Sequence, residues 1–276
     1  MAAHAAALSA RGPRALLSAA VIAAAALAWA ALALWSASPY ARYLQHSAWS
    51  DAAWFADLCT TLPSVSWALP TTMHLLAWLL MITGMMLPTT LPLLSSFRRA
   101  TLARRDAAAL HGLVIAGYVL AWMLFGVIAH GLDIAVHRAL SSSGWLLVHA
   151  WVIGAAVLAL AGGFQFTRLK YRCLERCRAP FGFLNARWRG LHPKRESLRI
   201  GFDHGMFCVG CCWALMLLMF VLGMGNLAWM LAIGVVMAIE KNIAWGRQLS
   251  RVLGGALIAA AAVSIATHAF SRGTGM

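Results

Sequence analysis

Charged residues are scarce in this chain of 276 residues. They make up 11% of it, against about a quarter of a soluble domain, while hydrophobic residues make up 62%. A soluble core cannot accommodate that much apolar sequence. Long apolar runs recur from residue 16 to residue 270, and no polar stretch between them is large enough to fold separately. Residues 1–276 are therefore predicted to form a single integral membrane domain.

The motifs of several common enzyme classes are also missing. The sequence contains no GxxxxGK[ST] phosphate-binding loop, no HExxH metalloprotease motif and no GxSxG nucleophile elbow. These motifs supply the machinery for nucleotide-driven pumping and for common hydrolytic reactions. No enzymatic reaction is predicted from the sequence.

The apolar runs predict an all-α fold, a polytopic bundle of about seven transmembrane helices. The first run follows two arginines, and at about 20 residues it is longer than a signal-peptide core, so it is interpreted as a retained anchor. Glycines near residue 225 predict a tight turn between the fifth and sixth spans. The predicted spans are residues 15–35, 73–94, 111–129, 145–163, 204–223, 226–240 and 252–270.

Lysine and arginine are concentrated in alternate connections between these spans. Residues 98–105, 168–199 and 241–251 are rich in them, whereas the other connections hold few. Because basic residues are retained on the cytoplasmic side, the N-terminus is predicted to be cytoplasmic. The segment 168–199 is expected to lie on anionic lipid headgroups. Nucleic-acid binding is not expected, because it would need a folded cytosolic module.

The segment with the most candidate metal-binding side chains is DHGMFCVGCCW, residues 203–213. At about 100° per residue, His204, Cys208, Cys211 and Cys212 share one helix face. Three cysteines within five residues indicate metal or redox chemistry more than packing alone. His204 and Cys212 would lie about 12 Å apart along the helix, too far to share one ion. The thiols must therefore recruit ligands from another segment, or form a ladder that passes an ion along.

Two other segments offer soft ligands. Met85 and Met86 lie in the inner part of the second predicted span, and their thioethers suit Cu(I). The alternative is that the methionines fill gaps between helices and Pro88 kinks the span. Cys173 and Cys177 stand one helical turn apart in the basic segment. Both pairs are predicted to lie on the same side of the membrane as the cysteines of residues 203–213.

Ionisable residues within apolar spans mark further positions of interest. A buried carboxylate is costly in a membrane, so Glu240 is expected to be paired or functional. The simpler interpretation is an interfacial role together with the adjacent Lys241. On the outer side, a group of histidines and one aspartate is a weaker candidate for a second metal or haem site: His74, His130, Asp133, His137 and His149.

Three blocks of sequence resemble a bacterial family of predicted metal-binding integral membrane proteins. They are WLLMITGMMLPTTLP at 78–92, FQFTRLKYRCLERCRAPFGF at 164–183 and GFDHGMFCVGCCWALM at 201–216, followed by Glu240-Lys241 and Trp245-Gly246-Arg247. HGxxCxGCCWALM is their most specific part. The resemblance defines a core over residues 73–255, with a variable segment at 1–72 before it and the last helix at 252–270. It implies a multi-helix inner-membrane protein with a Cys and His metal site and a link to copper handling.

The preferred hypothesis is a protein that binds Cu(I), with Zn²⁺ as the alternative metal, in order to store, deliver or transport it. Its expected partners are membrane lipids and a metal-receiving membrane protein or a soluble metallochaperone. Two other functions stay open: a membrane thiol oxidoreductase using the same cysteines, and a structural subunit in which they only pack. The candidate metal ligands are His204, Cys208, Cys211, Cys212, Cys173, Cys177, Met85 and Met86.

Overall fold

A computed structural model describes residues 2–39, 41, 68–222 and 226–273 of the chain. Its regular elements are all helical, which confirms the predicted all-α class. A 3-10 turn, Leu87–Thr90, joins the second helix to the third. The predicted turn at residues 223–225 and most of the segment 36–72 lie outside the described residues. The helices are α1 (Ala2–Ser36), α2 (Ala68–Met85), α3 (Leu91–Ala100), α4 (Ala107–Ser142), α5 (Gly144–Val148), α6 (Trp151–Phe164), α7 (Arg168–Arg178), α8 (Pro180–Arg187), α9 (Pro193–Leu222), α10 (Leu227–Asn242) and α11 (Gly246–Gly273).

Within the described residues, four helices are long and apolar enough to cross a membrane, namely the apolar stretches of α1, α4, α9 and α11. Two bent pairs, α2 with α3 and α6 with α7, raise the number to six if each pair is one span. Helix α10, the sixth predicted span, has 16 residues, slightly fewer than the roughly 17 that a straight span needs. Seven spans and a cytoplasmic N-terminus stay predictions.

Both bends have a local cause. Between α2 and α3 the chain turns by 49° at a 3-10 turn that contains Pro88, a residue without the N–H that a continuous helix would use. Between α6 and α7 the turn is 63°. There the Thr167 side chain accepts a hydrogen bond from the backbone N–H of Lys170 and starts a new helix. The strongly basic α7 thus leaves the axis of the apolar α6.

Helix α9 lies at the centre of the molecule and packs against α4, α6, α7, α8 and α10. Its approach to α4 is very close because glycines face the partner backbone. A Cβ at Gly117 would overlap the carbonyl of Leu198, and a Cβ at Gly201 would overlap that of Val114. Small residues allow this close backbone contact in helix bundles. The backbone of α9, which carries the predicted ligands of residues 203–213, is therefore packed tightly against α4.

The start of α9 is anchored by one carboxylate. Glu196 accepts hydrogen bonds from the backbone N–H groups of Arg189, Gly190, Leu191 and His192, at 2.7 to 3.1 Å. Gly190 adopts a φ of +74° there, a left-handed conformation that glycine adopts without steric cost. Because the backbone N–H groups just before α9 are all bound to Glu196, the direction in which the loop enters the helix is fixed.

The substitution Gly117→Ala should destabilise the protein by about 1–3 kcal/mol, because the added methyl overpacks the α4–α9 contact. Thermal unfolding of the detergent-purified protein measures the change. Gly112→Ala, on the same helix but with open space around it, is the matched control and should be neutral or slightly stabilising. Equal stability of the two variants would contradict the close packing described above.

Candidate metal centre

Three cysteines of α9 form one part of a buried sulfur cluster. Cys208, Cys211 and Cys212 are each 1% exposed. The sulfur atoms of Cys211 and Cys212 are 3.1 Å apart, and the Cys211 thiol donates to the carbonyl oxygen of Cys208. These distances exceed the roughly 2.05 Å of a disulfide, and all three are free thiols.

Helix α7 completes the cluster with a fourth thiol. Cys177 is buried, and its sulfur lies 4.0 Å from that of Cys211. Cys173, one turn earlier, faces Gly210 of α9 and is only partly buried. The structure thus brings the cysteines of the basic segment to α9. We refer to Cys177, Cys208, Cys211 and Cys212 as the thiol cluster.

A buried lysine and a tyrosine border the thiol cluster. The Lys241 ammonium of α10 donates to the Cys208 sulfur at 2.8 Å and lies 3.5 Å from both the Met86 sulfur and the Thr89 hydroxyl. The Tyr118 hydroxyl lies 3.0 Å from the Cys208 sulfur and donates to the carbonyl of Met86. Positive charge, a thioether and four thiols therefore meet in one buried volume.

Glu240 pairs with a residue 70 positions away rather than with its neighbour Lys241. The Lys170 ammonium of α7 lies 2.8 and 2.9 Å from the two Glu240 carboxylate oxygens, and Ser250 of α11 donates to the same carboxylate at 2.7 Å. Lys170 also donates to the Gln165 side chain. The sequence interpretation of a Glu240–Lys241 pair is corrected here, because adjacent helical residues do not face each other. The Lys241 ammonium does not pair with Glu240 and instead contacts the sulfur atoms of Cys208 and Met86.

The remaining predicted ligands lie beside the cluster. His204 is buried one turn before Cys208, with its ring 6.1 Å from that of Tyr118. Its Nδ1 atom has no hydrogen-bond partner within the described part of the chain. Met85 packs towards Gly234 of α10, whereas Met86 reaches Lys241. Of the two methionines, Met86 is the one with a described contact to a residue that touches the thiols.

The arrangement of the thiols limits the kind of metal site. In the described residues, no group of three or more His, Cys, Asp or Glu side chains is placed to hold a metal ion. A ready tetrahedral site of the kind that zinc prefers is therefore not seen there. Cys177 and Cys211 bring two sulfur atoms together from different helices. Their separation of 4.0 Å is just under the roughly 4.6 Å that two collinear metal–sulfur bonds would span.

The outer histidines are only partly brought together. The rings of His74 and His130 stack with centroids 4.2 Å apart, and His137 lies 3.2 Å from the Asp133 carboxylate. His149 instead stacks on Trp145. A second metal or haem site at these residues stays a prediction. Cys59, the sixth cysteine of the chain and predicted to stand alone on the outer side, lies outside the described residues.

A buried cluster of thiols with a thioether beside it, in an all-α chain, is the chemistry of a protein that handles soft metal ions. A model of the family PpoB2, described as copper chaperone, matches residues 75–264, well over half of the chain. The chain belongs to this family, which supports a copper-handling role. All eight predicted ligands fall within the match. No curated protein and no solved structure matches the chain.

Three residues at the centre were missed or misassigned by sequence reasoning. Tyr118 was not singled out, Lys170 was treated as one charge of a surface segment, and Lys241 was treated as a partner of Glu240. For Tyr118 and Lys241 the sequence did offer a signal, because each lies inside an apolar helix, where burying a polar or ionisable group costs free energy. Lys170 carried no such signal, because arginines surround it in the sequence.

Removing one partner of the buried Lys170–Glu240 pair should destabilise the protein by about 3–5 kcal/mol, since the remaining charge is left uncompensated. The variants are Lys170→Met and Glu240→Gln, measured by thermal unfolding in detergent. The double variant Lys170→Met/Glu240→Leu should recover much of the loss.

The control is the exposed pair of Arg247 and Glu175, whose charged atoms are 3.2 Å apart. Glu175→Gln should change stability by no more than about 0.5 kcal/mol. A Lys170→Met variant as stable as Glu175→Gln would contradict a structural role for the buried pair.

Proposed function

We propose that this protein carries Cu(I) as its cargo in the thiol cluster and passes it to a copper-receiving partner. The resting ligands are drawn from Cys177, Cys208, Cys211 and Cys212, with Met86 beside them. The observation that supports this most directly is the approach of the Cys177 and Cys211 sulfurs to 4.0 Å from two different helices. Membership of a copper chaperone family supports the same metal.

Ligand type and ligand number both favour Cu(I) over Zn²⁺ in this proposal. Thiolates and thioethers are the soft ligands that Cu(I) prefers, and this ion accepts digonal coordination by two sulfurs. Zinc would require a tetrahedral set, and in the described residues no group of three ligands is arranged for one. Zinc remains the alternative metal that a direct measurement would reveal.

Lys241 provides the charge that such a complex needs. A Cu(I) ion held by two thiolates carries a net negative charge, which is costly in a buried site without a counter-ion. The Lys241 ammonium, 5% exposed and 2.8 Å from Cys208, would neutralise it. Glu240 does not compete for this charge, because it is already bound to Lys170.

The rest of the proposal concerns the membrane. We infer that the chain is one integral domain of the bacterial inner membrane, with about seven spans and a cytoplasmic N-terminus. The long apolar helices and the uneven distribution of basic residues support it. In this orientation the thiol cluster and α7 lie towards the cytoplasm. His204, Cys173 and Met85 are assigned to the periphery of the cluster, where they would assist movement of the ion.

Copper content tests the proposal. Protein expressed with copper and zinc both available and purified in detergent should contain close to equimolar copper by elemental analysis. The double variant Cys177→Ser/Cys211→Ser should lose most of it, because both sulfurs of the proposed pair are removed. Cys59→Ser, outside the family match, is the control and should retain copper. Zinc in place of copper, or equal copper in all three proteins, would refute the proposal; a redox-cycling disulfide without metal would favour the thiol oxidoreductase.

Lys241→Met should weaken Cu(I) binding by about 2 kcal/mol or more, which is more than tenfold in Kd, because the buried anionic complex loses its counter-charge. Competition against a colorimetric Cu(I) chelator measures the affinity. Lys241→Arg should retain more of it than Lys241→Met. Arg251→Met, an exposed cation of α11, is the control, and an equally small effect of both methionine variants would exclude the counter-ion role.

A further inference from the structure

Cys173 differs from the other cysteines in its exposure. Of the five described cysteines it alone is not buried. It precedes Cys177 by four residues on α7, so the two side chains lie on the same face of the helix. A thiol that is both accessible and next to a buried thiol cluster is placed to meet a metal ion before the cluster does.

Cys173 also contacts α9, the helix that carries the other thiols of the cluster. The Cys173 sulfur lies against Gly210, so closely that a Cβ there would approach it to 2.7 Å. From Cys177 the next sulfur is that of Cys211 at 4.0 Å, and Cys212 follows at 3.1 Å. Gly210 thus lets α7 lie close enough to α9 for the accessible thiol and the thiol cluster to form one path.

The surroundings of Cys173 are positively charged. Arg172 and Arg176 are both exposed, and the Arg176 guanidinium lies over the ring of Phe207 of α9 at 4.7 Å. Arg176 is one turn from Cys173 on the same helix face. A concentration of cations at an accessible site raises the rate at which anions arrive. The site is therefore suited to a negatively charged copper donor.

We propose that Cys173 is the exchange thiol of this protein, through which Cu(I) passes between the thiol cluster and an anionic cuprous bis-thiolate donor. This inference rests on the proposed function. In the exchange step the Cys173 sulfur forms a bond to copper and one donor thiolate is released. The proton of the Cys173 thiol leaves with that thiolate, giving a neutral thiol, and copper remains Cu(I) throughout. Cys177 displaces the remaining donor thiolate in the same way, and Cys211 then displaces Cys173; in each step the proton of the incoming thiol passes to the sulfur that leaves.

The experiment follows loading of the metal-free, detergent-purified full chain by the cuprous glutathione complex in stopped flow. Cys173→Ser should slow both loading and chelator-driven release by about tenfold or more, which is about 1.4 kcal/mol in each barrier. The copper content reached at equilibrium should stay that of the wild type, because a group that acts only on the path changes both rates equally. Cys177→Ser/Cys211→Ser should instead lower the equilibrium content.

A second pair of variants keeps the Cys173 thiol in place. Gly210→Ala adds a methyl that forces the Cys173 sulfur away from α9, and it should also slow loading. Gly163→Ala, an exposed helix glycine with open space around it, should load like the wild type. Arg176→Gln should slow loading by the anionic glutathione complex more than loading by the cationic acetonitrile complex of Cu(I), and added salt should reduce this difference.

The outcomes separate the two proposals. Unchanged loading rates in Cys173→Ser would overturn the exchange role and leave the copper site standing. Loss of equilibrium copper in Cys173→Ser, equal to that of the cluster variant, would also overturn it, since Cys173 would then be a resting ligand. A wild-type protein that takes up no Cu(I) from either donor would refute the proposed function, and with it the exchange role.

Discussion

A charge buried in an apolar helix bundle must have a partner, and this constraint organises the centre of the molecule. Two lysines and one carboxylate are buried there. Lys170 satisfies Glu240, so Lys241 has no carboxylate within this group and its ammonium is directed to the sulfur of Cys208. The pairing also ties α7 to α10, because Lys170 and Glu240 lie on those two helices. The helix that carries Cys177 and the helix that carries Lys241 are thereby fixed relative to each other.

Close helix packing supplies the second condition for the site. Gly117 and Gly201 allow α4 and α9 to approach until their backbones are in contact. Tyr118 directly follows Gly117 on α4, and its hydroxyl reaches Cys208 and the carbonyl of Met86. Residues with larger side chains at these glycines would separate the helices and remove the tyrosine from the sulfur. The thiol cluster therefore depends on residues that have no ligand chemistry of their own.

The sequence predicted well those features that depend on one helix at a time. Apolar runs located the long helices, and the spacing of Cys208, Cys211 and Cys212 predicted a common face, which the structure shows to be buried. Features that depend on two distant segments were not predictable in the same way. The partner of Glu240 was assigned to its neighbour because sequence distance carries no information about which helix crosses nearby. The bend after Phe164 was likewise missed, since hydropathy measures the length of an apolar run and not its straightness, whereas the bend after Met85 was suggested by Pro88.

The hydrogen bonds of Glu196 have a consequence for the placement of the thiol cluster. Four backbone N–H groups before α9 are satisfied by a side chain of the protein itself, at a distance in sequence from the thiols. The direction of α9 is thus set without any contribution from a metal ion. A small metal domain that folds only around its ion must unfold in order to release it. In this chain, by contrast, the protein's own hydrogen bonds orient the helix that carries Cys208, Cys211 and Cys212, so a bound ion is not needed to create that orientation.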